Sequence, residues 1–235
     1  MGHPFRFMFG AGTISLVTLL AVLLLRGQSA SASPELAPAA QSNASGWTYE
    51  TAEDNGQLTS RVTYDHATLG QLQAFVTENA RQASELRTAG VPNARATITF
   101  RQPLPLEEFR AWAAAGGATV TNYTLRVLTP RGERVTVGNS PTSRGKAIED
   151  AGLQRALQRV AEHGATNVRG VITAEADISL AGYTRLASDP KVFLVDVTAA
   201  VVKREVGQNP SLAAKPHDVR VSPAFWYLED LGAVR

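Results

Sequence analysis

Residues 94–128, ARATITFRQPLPLEEFRAWAAAGGATVTNYTLRVL, carry the pattern on which the fold turns. In the first eight, Ala96, Ile98 and Phe100 alternate with Arg95, Thr97, Thr99 and Arg101, a period of two that predicts a strand with one face buried and one in water. The period then changes. Pro105 suits a first helical position, Glu107 and Glu108 suit the positive end of a helix, and Leu106, Phe109, Trp112 and Ala113 form an apolar stripe that ends at Gly116-Gly117. Alternation resumes in the last eleven residues, with Tyr123, Leu125 and Val127 on one side. Strand, helix, strand is the reading.

A second unit of the same kind lies downstream. NVRGVITAEAD, 167–177, reads as a strand with Val168, Gly170, Ile172, Ala174 and Ala176 on one face and Arg169, Thr173, Glu175 and Asp177 on the other. A short helix carrying Leu180, Tyr183 and Leu186 follows, stopped at Asp189-Pro190 because a residue before proline is pushed out of the helical region. KVFLVDVTAAVV, 191–202, is a near-continuous apolar run and predicts a strand buried on both faces or central in its sheet. Asp196 interrupts that run; if its face is buried it needs a partner, for which a nearby arginine is the usual answer.

Between the two units, TPRGERVTV predicts a turn into another short strand, 138–144 a loop, and 145–163 a long helix with Leu153, Leu157, Val160 and Ala161 on one side. Ahead of them, Leu69, Leu72, Val76, Ala80, Ala83 and Leu86 recur at helical spacing from Thr68 to Thr88, closed by Gly90 and Pro92. The expectation is an α+β domain at 94–202 with a ferredoxin-like split βαβ core and an inserted hairpin and helix, an N-terminal extension at 47–93 built on one long helix, and an irregular polar tail at 203–235.

The segments before residue 47 read differently. Residues 8–25, MFGAGTISLVTLLAVLLL, hold no charge and approach the roughly 20 apolar residues that cross a bilayer. Residues 8–26 are expected to form a transmembrane signal anchor behind a short segment at 1–7, leaving the remaining chain outside the cytoplasm, although the positive charge of Arg26 on the exported side works against the inside-positive bias. The alternative is a signal peptide cleaved after Ala32, at the small-residue site Ala30-Ser31-Ala32, giving a secreted protein. Residues 27–46 are rich in serine, alanine, proline and glycine and predict a flexible tether.

Charge and composition exclude several classes of function. Lysine and arginine number 23 against 21 acidic residues, scattered without a basic run, so no nucleic-acid partner is expected. The absence of cysteine excludes thiolate chemistry and disulfides. The four histidines, 3, 66, 163 and 217, lack the spacing of a metal site, and no nucleophile elbow, phosphate loop or dinucleotide fingerprint occurs, so neither cofactor nor catalytic residue is assigned. His163 suits a helix C-terminus, and Glu107-Glu108 and Glu149-Asp150 suit first helical turns. Glu175 and Asp177 share a strand face and could form a carboxylate pair, although such faces are charged by default. Phe225-Trp226-Tyr227 either packs back onto the domain or anchors another protein or a membrane surface, and is the one candidate partner-binding site.

Residues 94–128 and 167–198 also resemble the propeptide and inhibitor domain of subtilisin-type proteases. The strand, acidic helix and G-x-x-V strand of that family are matched by ATITFRQPLPLEEFRAWAAAGGATVTNY, and its helix leucine, Asp-Pro turn and V-x-x-V strand by Leu186, Asp189-Pro190, Val192 and Val195. The resemblance implies a ferredoxin-like fold and a stand-alone protease inhibitor or folding chaperone acting on a subtilisin-like protease, with an extended inhibitory tail beginning near Lys203. KREVGQNPSLAAKPHD matches no motif of that tail. The expected function is a membrane-anchored, extracytoplasmic, non-enzymatic binding or accessory protein; inhibitor or chaperone is the alternative, and a hydrolase the second alternative.

Overall fold

The computed structural model describes residues 46–64, 68–139, 151–221, 228, 229 and 232, which form a mixed α+β structure with two sheets. The expected membrane segment at 8–25, the cleavage site after Ala32, the tether, and Phe225, Trp226 and Tyr227 lie outside the described residues.

The strand-helix-strand unit forms as its periodicity predicts: β3 (Asn93–Leu104), α2 (Leu106–Ala114) and β4 (Ala118–Leu128). Glu107 and Glu108 sit in the first turn of α2, and Phe109 and Trp112 are buried beneath it. The aromatic rings of Phe100, Phe109, Trp112 and Tyr123 meet at centroid distances of 4.9–5.8 Å. The hairpin strand β5 (Arg134–Asn139) pairs with β4, and α3 (Ala151–Ala161) follows it. The second unit is β6 (Asn167–Ser179), a 3-10 turn, α4 (Tyr183–Ala187) and β7 (Val192–Asp196). The strand order is β5-β4-β6-β3-β7, every neighbour antiparallel, so β6 lies between β3 and β4 and β3 lies between β6 and β7. Each βαβ unit thus encloses a strand of the other.

Strict alternation fails inside β6. Two bulges, where Thr124 and Leu125 oppose Thr173 and Val171 and where Arg126 and Val127 oppose Gly170 and Val168, reverse which side chains face the core. Val171 therefore enters the apolar cluster opposite Leu125, while Gly170 moves to the other face opposite Arg126. Gly170 has φ +138°, and a Cβ there would lie 2.4 Å from the Leu104 carbonyl oxygen, so glycine alone lets β3 pass.

A second sheet of three strands, beyond those expected, is built from β1 (Trp47–Asp54), β2 (Gln57–Tyr64) and β8 (His217–Val221), in the order β1-β2-β8. Strands β1 and β2 form a hairpin whose turn residues, Asn55 and Gly56, both have positive φ, 50° and 76°. Asp54-Asn55-Gly56-Gln57 between alternating strands is a strong hairpin signal, and it adds two strands to the one long helix expected at 47–93. Helix α1 (Leu69–Thr88) forms as predicted, with Thr68 and Gln71 in a reciprocal capping box. Its buried stripe is Leu72, Phe75, Asn79, Gln82, Ala83 and Leu86, whereas Ala80 is exposed.

The apolar run at 191–202 is also not one strand. β7 ends at Asp196, and Thr198–Gln208 form helix α5, which buries Thr198, Val202 and Val206 at a spacing of four. Buried on both faces, β7 is nonetheless an edge strand among the described residues, paired there only with β3 and packed against α1. The segment expected to be an irregular polar tail carries regular structure among its described residues: the divide at 202/203 falls inside α5, helix α6 (Pro210–Ala213) follows, and β8 (His217–Val221) pairs in parallel with β2.

The polar face of the five-stranded sheet is consequently covered. Leu194 on that face joins Trp47, Tyr49, Leu58, Val62, Leu72, Phe75, Val202 and Val206 in a second core cluster, separate from that of the α2 face.

Candidate functional site

Three rows of side chains cross the polar face. One holds Arg95, Asp177 and Thr119; the next Asp196, Thr97, Glu175 and Asn122; the third Leu194, Thr99, Thr173 and Thr124. The third row is sealed, and the Thr99 and Thr173 hydroxyls are buried without a hydrogen-bond partner. The first two rows open into a groove between the end of this sheet, α5 and β8. A cavity of about 1100 Å³ touches Asn93, Arg95, Asp177, Arg185, Lys203 and Arg204, among others. A second, of about 310 Å³, reaches inward to Thr97, Glu175 and Asp196. Both are lined by Arg95, Ala199, Asp218 and Val219, so the two adjoin.

The floor is rigidly built. Asp196 is buried, and where an arginine was expected its Oδ2 accepts a 2.6 Å hydrogen bond from the Tyr64 hydroxyl and its Oδ1 a 2.8 Å bond from the Thr198 amide. The carboxylate thus stands at the N-terminus of α5, where the helix dipole favours it. Burial, and then the Asp196 carboxylate, push the Tyr64 phenol well above its ordinary range, so it stays a donor. Asn79 of α1 accepts from the Val197 amide at 2.7 Å, and Tyr183 donates to the Val195 carbonyl at 3.1 Å. Strand end and helix start are fixed from three elements.

Above the floor, Asp177 receives Arg95 at 3.5 Å across the paired strands, and Asp218 receives Arg220 at 3.3 Å. Desolvation raises the Glu175 carboxyl, with Arg95 opposing the shift. Arg185, Lys203 and Arg204 are exposed on α4 and α5 and form no hydrogen bond or ion pair among the described residues. The groove wall therefore carries the exposed cations Arg185 and Lys203, without an ion-pair partner among the described residues, and Arg204 beside Glu205.

The structure brings together Glu175, Asp177 and Asp196 from the residues the sequence singled out, and adds His217, which lines the larger cavity. His163 lies just past α3, its Nδ1 2.9 Å from the Arg159 carbonyl, as a helix-end residue. His3, His66, Glu149 and Asp150 lie outside the described residues, as does the aromatic triplet 225–227; next to the triplet, Leu228 is buried and Glu229 pairs at 2.7 Å with the buried Arg126. Among the described residues no cluster of three metal-ligating side chains occurs, and no helix is long and apolar enough to cross a membrane. The groove was hidden in the sequence because Arg185, Lys203, Arg204 and β8 come from segments assigned to a short helix and a tail. Compared with protein-family models, curated proteins and solved structures, the chain matches none.

Proposed function

We propose that this is a membrane-anchored, extracytoplasmic binding or accessory protein, not an enzyme, whose ferredoxin-like split βαβ core presents the groove between α5 and β8 to a ligand. The observation that carries the reading is the groove itself: a depression of about 1100 Å³ with exposed Arg185, Lys203 and Arg204 at its wall, above a floor locked by Tyr64, Asp196 and Asn79. A rigid, partly apolar cleft with a few convergent charged groups is the ordinary form of a binding site. The interleaved β3-α2-β4 and β6-α4-β7 units support the ferredoxin-like description. The uncharged run at 8–25 and the tether at 27–46 support anchoring outside the cytoplasm. Against catalysis stands the engagement of Asp177 and Asp196 in structural bonds. The protease-inhibitor reading draws less support, because the segment it needs as an extended tail from Lys203 is helical through Gln208.

Two measurements on living cells test the proposal. The chain has no cysteine, so Gln208→Cys gives a unique exposed thiol; an impermeant maleimide is expected to label it on intact cells, and labelling only after lysis would overturn the placement. A photo-crosslinking residue at Asn93, on the groove, is expected to give a discrete adduct that the same residue at exposed Gln73 does not. Identical patterns at both positions would overturn the groove as the binding site.

A further inference from the structure

The groove follows the edge of β8. Side chains of a strand alternate between two faces, so a cavity against one face touches every second residue. Here four consecutive residues, His217, Asp218, Val219 and Arg220, all border the adjoining cavities. Such a run is met where cavities reach the strand's backbone as well as one row of its side chains. Among the described residues β8 pairs with β2 on one side and with no strand on the other.

Charge then selects the occupant. Of the acidic groups that line the cavities, Asp177 and Asp218 pair with Arg95 and Arg220, Asp196 is bonded to Tyr64 and the Thr198 amide, and Glu175 lies in the field of Arg95, while Arg185 and Lys203 have no anionic partner among the described residues and Arg204 faces only its neighbour Glu205. We infer that the groove takes an extended acidic segment of a partner polypeptide, added as a strand along β8 with its carboxylates met by Arg185, Lys203 and Arg204. The inference rests on the binding-protein reading above and names its ligand class. Main-chain hydrogen bonds to β8 hold the segment, and alternate side chains face the cationic wall. The five residues of β8 accommodate a partner segment about 17 Å long, at about 3.4 Å per residue.

The test uses the full chain in detergent and three fluorescein-labelled hexapeptides: (Glu-Val)3, (Lys-Val)3 and (Glu-Val)3 N-methylated at alternate amides. Fluorescence anisotropy is expected to show (Glu-Val)3 binding at least about tenfold more tightly than (Lys-Val)3, and weakening as salt screens the cations. The triple variant Arg185→Glu, Lys203→Glu, Arg204→Glu changes exposed side chains only; it should keep its circular dichroism and lose at least about tenfold in affinity. N-methylation, which removes the pairing donors while retaining the charge, should abolish binding. Equal binding of the methylated peptide would show attraction by charge alone and overturn strand addition. Equal binding of (Lys-Val)3, or none of (Glu-Val)3 up to about 1 mM, would overturn the acidic ligand. In any of these cases a groove-specific adduct at Asn93 leaves the binding-protein reading standing, so the two failures are distinguishable.

Discussion

The two faces of the five-stranded sheet are both covered, yet they are built on opposite principles. On one, Phe100, Phe109, Trp112 and Tyr123 interlock with alanines and valines of the strands. On the other, threonines, carboxylates and arginines lie under a second sheet, and one end stays open as the groove. The first face stabilises through area and packing density, which are non-directional. The second depends on pairings, since a desolvated polar group costs free energy unless it is bonded. A cleft for a ligand belongs on the second face, because unpaired groups there are available for use.

Substitutions can break this contrast. The largest effect is expected on the apolar face: Phe109→Ala removes a fully buried ring that touches three other aromatic rings and should cost about 3–5 kcal/mol in urea unfolding. At the seam between the faces, Gly170→Ala drives a Cβ against the Leu104 carbonyl and should cost about 3 kcal/mol; a neutral result would show that the bulge shifts freely. On the polar face, Tyr64→Phe removes one hydrogen bond to a buried carboxylate, and a loss of about 1.5–3 kcal/mol is expected. In a double-mutant cycle with Asp196→Asn, the two losses should fail to add, as expected for partners in direct contact.

The smallest effect is electrostatic. Burial raises the Glu175 carboxyl in the folded state, so the folded chain holds more protons than the unfolded chain between the ordinary carboxylate value and the raised one. Stability contributed by this group is present below that window and lost as pH rises through it. Glu175→Gln should remove that part of the slope and leave the variant relatively more stable at neutral pH, as read by denaturation at a series of pH values. Glu205, also raised by burial, contributes with the same sign, and Glu175→Gln leaves its share in place.

Much of the apolar face was legible in advance. Ala96, Ile98 and Phe100 at period two, and Phe109 and Trp112 along one helical stripe, point to their burial without further information. The polar face was misread as a solvent face, because Thr97 and Thr99 look the same under water as under another sheet. What distinguished the cases was remote: Asn55-Gly56 announced the hairpin that forms the cover, and His217–Val221 completed it from more than 150 residues away. The candidate site was less legible still, as Arg185, the pair Lys203 and Arg204, and β8 come from three separate segments.

By itself the sequence determined the two strand-helix-strand units, the capped helix from Leu69 to Thr88 and the apolar core between them, since local periodicity and helix-end chemistry suffice for each. Only the tertiary structure decided that β7 stops at Asp196, that β8 joins β2, and that a charged groove opens between α5 and the five-stranded sheet. The physical reason is that strand pairing and polar satisfaction are properties of neighbours: whether a threonine, an aspartate or a strand edge is sealed or available depends on which distant segment folds against it.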